Sequence, residues 1–283
     1  VGKKDRLRKE RREAALEKVK AATSGWAGFE LKVQRAREHL ETLDDAIKWW
    51  LEAHSDLVRE EIDPETGEHV ITVEPALVAP ADDIALIAAD CVHNLRAALD
   101  QLVYSLSWAY TAGPLPKSVA QGCEFPVYGP RAPTSRDLKK RIGAIHPDAQ
   151  TIIKGLQPHE RGDAFPSEKL WVLDQLWNLD KHRTLPLVVF AHQATVFGKQ
   201  PGEIIEIPGE MTLSVVGPVR SKAEAMRFSG VGPHHNVDMK STIELDIAFG
   251  QGTPAKGEPV IELLTGLIAY VSDDVVVPLA RFL

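Results

Sequence analysis

The stretch Asp90-Cys-Val-His-Asn-Leu-Arg-Ala-Ala-Leu-Asp100 decides how the rest of the chain is read. Placed on a helix, Ile84, Ile87, Cys91, Leu95, Ala98, Leu99, Leu102 and Leu106 fall on one face at three- and four-residue steps. His93, Arg96 and Asp100 form a stripe on the opposite side, which also carries Leu86, Ala89, Ala97 and Tyr104. A helix that is apolar on one side and small-plus-apolar on the other is expected to be buried on both. Its charges then need partners, because an unpaired buried charge is very costly.

A second stretch, Trp177-Asn-Leu-Asp-Lys-His-Arg183, offers those partners. Over Leu170–Arg183 the residues Leu170, Leu173, Leu176 and Trp177 mark an apolar face, with Asp180 inside its angular range. Asp174, Asn178 and His182 stack on an adjacent stripe. The expectation is that the two helices pack together, Asp180 pairs with Arg96, and His93, Asn94, Asn178 and His182 join one hydrogen-bonded network. The candidate site is therefore His93, Arg96, Asp100, Asn178, Asp180 and His182.

Three chemistries compete for that constellation. The first is architectural: a buried polar network that sets helix register, its charges mutually paired. The second is acid–base: His182 and His93 exchange protons near neutral pH while Arg96 or Arg183 stabilises an anion, as in cleavage assisted by a ribose 2′-hydroxyl. The third is a metal site built from His93, His182 and carboxylates among Asp90, Asp100, Asp174 and Asp180. It lacks the Glu-x-x-His pairs of carboxylate-bridged di-iron bundles. The reading favours the first, with no cofactor and no metal, and leaves open whether the protein is an enzyme.

Composition narrows the setting. The 283 residues suffice for one large domain or two small ones, and 44% hydrophobic with 26% charged is the balance of a soluble globular protein. A net charge of −7 gives no global basic footprint for nucleic acid. Two cysteines, Cys91 and Cys123, make no disulfide framework, and no apolar run approaches the roughly 18–20 residues of a membrane span. The N-terminus lacks the apolar segment of a secretory signal. These features predict a cytoplasmic protein that does not engage a membrane. Standard phosphate-loop, dinucleotide, CxxC and GxSxG patterns do not occur. His234-His235, flanked by Gly and Pro, is a weak metal candidate.

Around the two motifs the chain divides by pattern. Residues 1–22 form a charged arm in which lysine and arginine outnumber acids. A helix over Trp26–His54 carries the seam Phe29, Val33, Ala36, Leu40, Leu43, Ile47 and Trp50, and both Trp49 and Trp50 are expected in the core. Leu57–Ile62 and His69–Val73 flank Asp63-Pro-Glu-Thr-Gly67 and predict a hairpin. Pro80 with Asp82 and Asp83 starts the central helix. Gly and Pro mark 111–133 as an irregular connection, followed by a short helix after Ser135 broken at His146-Pro147. A further helix carries Ile152, Ile153 and Leu156, and a loop covers Gln157–Asp163. After Arg183 come short β-prone runs: Leu185–Phe190, Glu203–Ile207, Met211–Val216, Ala225–Phe228 and Thr242–Phe249. Helical spacing returns over Pro259–Phe282, where Val275-Val-Val277 before Pro278 leaves the end ambiguous.

His93-Asn-Leu-Arg-Ala-Ala-Leu-Asp-Gln-Leu102 followed by Asn178-Leu-Asp-Lys-His-Arg183 resembles a broad family of uncharacterised bacterial proteins. These carry an HNLRxALDxL helix and a later NxxDKHR-type motif, here one residue shorter. The resemblance spans most of the chain and implies continuity of fold rather than a reaction. A remoter similarity is to HEPN-type helical bundles, many of them ribonucleases in toxin or defence systems. Their Arg…His spacing is met by Arg141…His146 and Arg227…His234, off the two motif helices.

The fold expected is α+β: a helical bundle over 23–183 with a hairpin near 57–73, an antiparallel β-rich insertion over 184–257, and a C-terminal helix over 258–283 returning to the bundle. The function expected is a binding or structural role around a buried His/Arg/Asp/Asn network. RNA or a protein would be the partner, through the basic arm or the β-rich unit. The alternatives are a HEPN-like metal-independent ribonuclease of toxin or defence type and a metal-dependent hydrolase.

Overall fold

The computed structural model describes residues 28–65, 69–73, 80–200, 203–205, 223–228 and 238–283. The charged arm, the expected strand Met211–Val216 and the pair His234-His235 lie outside the described residues. What is described is mostly helical with antiparallel sheet, an α+β fold. It resolves into two compact units built from non-consecutive segments. One holds 28–40, Ala89–His182 and Leu264–Leu283; the other holds Glu41–Ala88 and Arg183–Leu263.

Helix α1 spans Gly28–Ala53, close to the range that the apolar seam predicts. Phe29, Val33, Ala36, Leu43, Ile47 and Trp50 are buried. Trp49 corrects the expectation of a paired tryptophan core, being 70% exposed against 3% for Trp50. Consecutive helical side chains point about 100° apart, so one seam cannot take both. The His54 ring stacks on Trp50 at 4.2 Å and its Nδ1–H donates to the Trp50 carbonyl at 2.8 Å, satisfying an orphan acceptor of the last turn.

Strands β1 (Val58–Ile62) and β2 (His69–Val73) pair antiparallel, Val58 opposite Val73 and Ile62 opposite His69. At the turn, the Asp63 carboxylate accepts the Glu65 N–H at 2.9 Å. The second sheet centres on β3 (Leu187–Gln200), flanked by β4 (Glu203–Ile205) and β6 (Asp238–Phe249), while β5 (Ala223–Phe228) adds to β2. The β3–β6 ladder runs from Leu187 opposite Phe249 to Lys199 opposite Asp238, with a break in register between Ala191 and Gln193. The expected short strands are thus, in part, one long pair of 14 and 12 residues. The reason is that Thr195-Val-Phe197 keeps β-propensity going past the point where alternation fades.

Helix α2 spans Asp82–Thr111, with Asp82 and Asp83 in the first turn, where carboxylates suit the dipole. It stops where Ala112 takes a φ of 52° ahead of Gly113-Pro114. The expected face is buried: Cys91, Leu95, Leu99, Leu102 and Leu106 are all at 1% exposure or less. The one-turn α3 (Lys117–Ala120) leads into an irregular strap, residues 121–133. Helix α4 (Ser135–Ile142) opens with a capping box between Thr134 and Asp137. Helix α5 (Pro147–Gly155) is capped by His146, whose Nδ1 accepts the Asp148 N–H. A 3-10 segment over Pro158–Ser167, kinked at Gly162 with φ 54°, precedes α6 (Lys169–Asp180).

The last segment stays helical but changes pitch: α7 (Val260–Ala269), a π-helical turn (Tyr270–Val276), then α8 (Val277–Ala280). Pro278 lacks an N–H and its ring crowds the carbonyl four residues back, which a wider turn relieves. Arg37 donates to the Ser272 hydroxyl at 2.9 Å, and Phe282 stacks on His146 at 5.1 Å, with Tyr110 edge-on to the same ring at 5.6 Å. Among the described residues, no helix is long and apolar enough to cross a membrane.

Candidate functional site

Arg96 is 1% exposed, and among the described residues it is the largest fully buried side chain. It leaves the middle of α2 for a place that solvent barely reaches, so its own chain must satisfy it. One terminal nitrogen donates to Asp100 Oδ1 at 2.5 Å, one turn further along α2. The other donates to the Phe125 carbonyl at 2.9 Å and to Glu124 Oε1 at 3.3 Å. Nε lies 3.4 Å from Asp174 Oδ1 on α6, a charge contact rather than a directed hydrogen bond, and it makes no other. The guanidinium carbon sits 5.0 Å from the centre of the Trp177 ring, which Lys181 also approaches.

The shell around this cation is itself tied down. Asp100 Oδ1 accepts the Phe125 N–H at 2.9 Å, so Arg96 and Asp100 together take both backbone groups of Phe125. Glu124 pairs with Arg141 at 2.6 Å, and Asp174 accepts from Asn178 at 2.9 Å. Two guanidinium groups, Arg96 and Arg141, thus face the carboxylates Asp100, Glu124 and Asp174, and the Lys181 charge also favours ionised Asp174. Beyond Phe125, the buried Gln157 amide continues the pattern. Its Nε2 donates to the Pro126 and Ile153 carbonyls at 2.9 and 3.0 Å, and its Oε1 accepts the Tyr128 N–H at 3.1 Å. Gly129 then passes so close to Trp171 that a Cβ there would lie 2.4 Å from the ring.

The structure separates the expected constellation into a buried part and an exposed part. Arg96, Asp100 and Asn178 meet in the network, Asn178 through Asp174. The carboxylate of α6 facing Arg96 is Asp174, whereas Asp180 feels the charges of His93 and Asp90. Six residues along a helix is a rise of about 9 Å, so a guanidinium level with Asp174 is not level with Asp180. His93 is exposed, and so is His182, because α6 ends at Asp180 and the Asp174–Asn178–His182 stripe is cut after its second member. Asn94 is buried apart from the Arg96 shell, accepting from Lys32 at 3.1 Å and donating to the Asp90 carbonyl at 2.8 Å. Glu124, Phe125, Arg141 and Gln157 were not expected. Glu124 and Phe125 sit in the Gly/Pro-rich connection, where no periodicity points to a partner, and Arg141 lies on α4 beyond it.

Burial pushes the Asp100 and Asp174 carboxyls above the usual carboxylate range, and the Arg96 charge only partly opposes it. Burial likewise raises Asp180, against the pull of His93. The thiol of Cys91 is pushed up to about 12 by burial, which makes it an inert core group. The two raised carboxyls of the network set a sign for stability against pH. The folded state holds more protons than the unfolded chain just above the ordinary aspartate value of 3.8. Their contribution is therefore fully present below that value and lost as pH rises through the folded value. Unfolding free energies of the parent and of Asp100→Asn, followed from pH 7 down to about 4, should differ increasingly in the parent's favour. A difference moving the other way would mean that Arg96 outweighs burial at Asp100.

Among the described residues, no group of three or more His, Cys, Asp or Glu side chains is arranged to hold a metal ion. The Arg227…His234 pair reaches outside the described residues, and His146 of the other Arg…His pair serves as a helix cap. Compared with family models, with curated proteins and with solved structures, the chain shows no match.

Proposed function

We propose that this protein has a binding or structural role, and that its Arg96 network is architectural. The observation that carries the reading is that the terminal nitrogens of Arg96 are occupied by its own chain at 1% exposure. A guanidinium that is to stabilise a substrate anion needs donors aimed at the place where charge develops. Here those donors anchor the 121–133 strap instead. The motif resemblance to uncharacterised bacterial proteins belongs to the same reading: Arg96 and Asp100 of HNLRxALDxL hold the strap, and Asn178 of the later motif holds Asp174.

The arrangement we infer is a helical bundle with an inserted antiparallel β-rich unit and a C-terminal helix that returns to the bundle. It is supported by the contacts of Ser272 with Arg37 and of Phe282 with His146. A cytoplasmic setting fits its two unpaired cysteines.

One observation favours a second reading, a metal-independent ribonuclease: exposed His93 lies within charge range of Asp180, and a carboxylate beside an imidazole can orient a general base. RNA incubated with the full chain in excess chelator separates the two. The architectural reading expects the RNA to stay intact. It also expects His93→Ala/His182→Ala to unfold within about 0.5 kcal/mol of the parent, as exposed substitutions do. Chelator-resistant cleavage that disappears in that double variant would replace it with the ribonuclease.

A further inference from the structure

We propose that the cleft beside α4 is a binding site for a phosphate group. The cleft encloses about 320 Å³ and is lined by Ser118, Cys123, Lys139, Lys140, Arg141 and Gly143, among others. It shares Arg141 with the Arg96 network, whatever role that network has.

Charge is the first observation. Helix α4 carries Arg136, Lys139, Lys140 and Arg141 against Asp137 alone, in a chain whose net charge is −7. Asp137 is engaged in the capping box with Thr134, and Arg141 is neutralised by Glu124 at 2.6 Å. Lys139 and Lys140 are exposed and have no carboxylate within ion-pair distance among the described residues. The helix dipole favours cations in this last turn, but it leaves their charge open to a ligand. Two unneutralised ammonium groups match the charge of a phosphate monoester, which lies between about −1.5 and −2 at neutral pH. Lysine serves phosphate well as a point charge, and the exposed Ser118 hydroxyl adds a donor.

Rigidity is the second observation. A Cβ at Gly122 would lie 3.0 Å from the Lys140 carbonyl oxygen. The segment leading to Cys123 therefore packs directly on the backbone that presents the lysines. Arg141 fixes the other wall through Glu124 and through Tyr128, whose ring centre is 5.9 Å from its guanidinium carbon. The Cys123 thiol in its wall is engaged, donating to Ser107, and burial raises its pKa.

The test uses the full chain, with inorganic phosphate and adenosine monophosphate as small probes, a short labelled single-stranded RNA as a phosphodiester probe, and citrate as a carboxylate control. Lys139→Glu/Lys140→Glu should weaken binding of the small probes by about tenfold or more, the worth of one charge-assisted hydrogen bond. If RNA supplies the phosphate, its salt dependence should flatten by about 0.7 per lysine contact removed. Lys154→Glu/Lys169→Glu, an equal change of net charge elsewhere on the exposed surface, should leave either probe bound as in the parent. Circular dichroism checks folding, and Lys139→Gln/Lys140→Gln repeats the measurement should the reversal disturb it. No binding of any phosphate probe, equal weakening in both double variants, or citrate bound as well as phosphate would each overturn the proposal.

Discussion

Replacing Arg96 by alanine is expected to lower the unfolding free energy by about 3–5 kcal/mol, the usual cost of breaking a buried ion pair from one side. The loss has separable parts. Asp100, 31% exposed at its side chain, and Asp174, 13% exposed, would keep their burial and lose the cation that offsets it. The Phe125 carbonyl would lose its donor, and the Trp177 ring would lose the guanidinium beside it. Urea unfolding followed by circular dichroism measures the effect as a lower midpoint at unchanged slope. Arg96→Met combined with Asp100→Asn and Asp174→Asn should recover part of the loss, since the stranded charges go with the cation. A drop below about 1 kcal/mol in Arg96→Ala would place the network with groups retained for function at a cost to stability, and the architectural reading would fall.

Gln157→Leu is the second large effect, expected at about 3 kcal/mol. The swap nearly conserves volume, so packing contributes little and hydrogen bonding most. It leaves the Pro126 and Ile153 carbonyls and the Tyr128 N–H without partners. Gln157 is 1% exposed, so water cannot replace what is lost, and each stranded buried group costs about 1–3 kcal/mol. Amide exchange gives a sharper readout than the midpoint. The Tyr128 and His159 amides, bonded to Gln157 and to the Tyr128 carbonyl, should lose protection before the amides of α2 do. Uniform loss of protection across the helices would mean that the strap is not a separate element and that Gln157 acts on the core as a whole.

Both substitutions act on the same feature, a Gly/Pro-rich connection that runs along buried backbone. A buried irregular segment carries peptide groups that no helix or sheet satisfies. This chain satisfies them with Arg96 and Asp100, which take the two backbone groups of Phe125, and with Gln157, which takes the Pro126 carbonyl and the Tyr128 N–H. Wherever such a strap occurs, the buried long polar side chains beside it are its hydrogen-bond partners before they are candidates for catalysis.

The sequence by itself determined the two long helices and where the second of them begins. Seams at three- and four-residue steps place α1 and α2, and Asp82 and Asp83 mark an N-terminus. Those signals are local, set by side chains within one or two turns of the backbone they act on. The same locality singled out Arg96 and Asp100, because an ionisable stripe on a helix apolar elsewhere is visible in the helix alone. Tertiary structure decided which groups that stripe meets. Asp174 rather than Asp180 faces Arg96, Glu124 and Phe125 arrive from a connection without periodicity, and His182 leaves the site because α6 ends two residues earlier. Azimuth on a helical wheel is written in residue spacing, but the axial level at which two elements meet is not. A guanidinium bonds what lies within about 3 Å of it, and that distance is fixed only once the chain has packed.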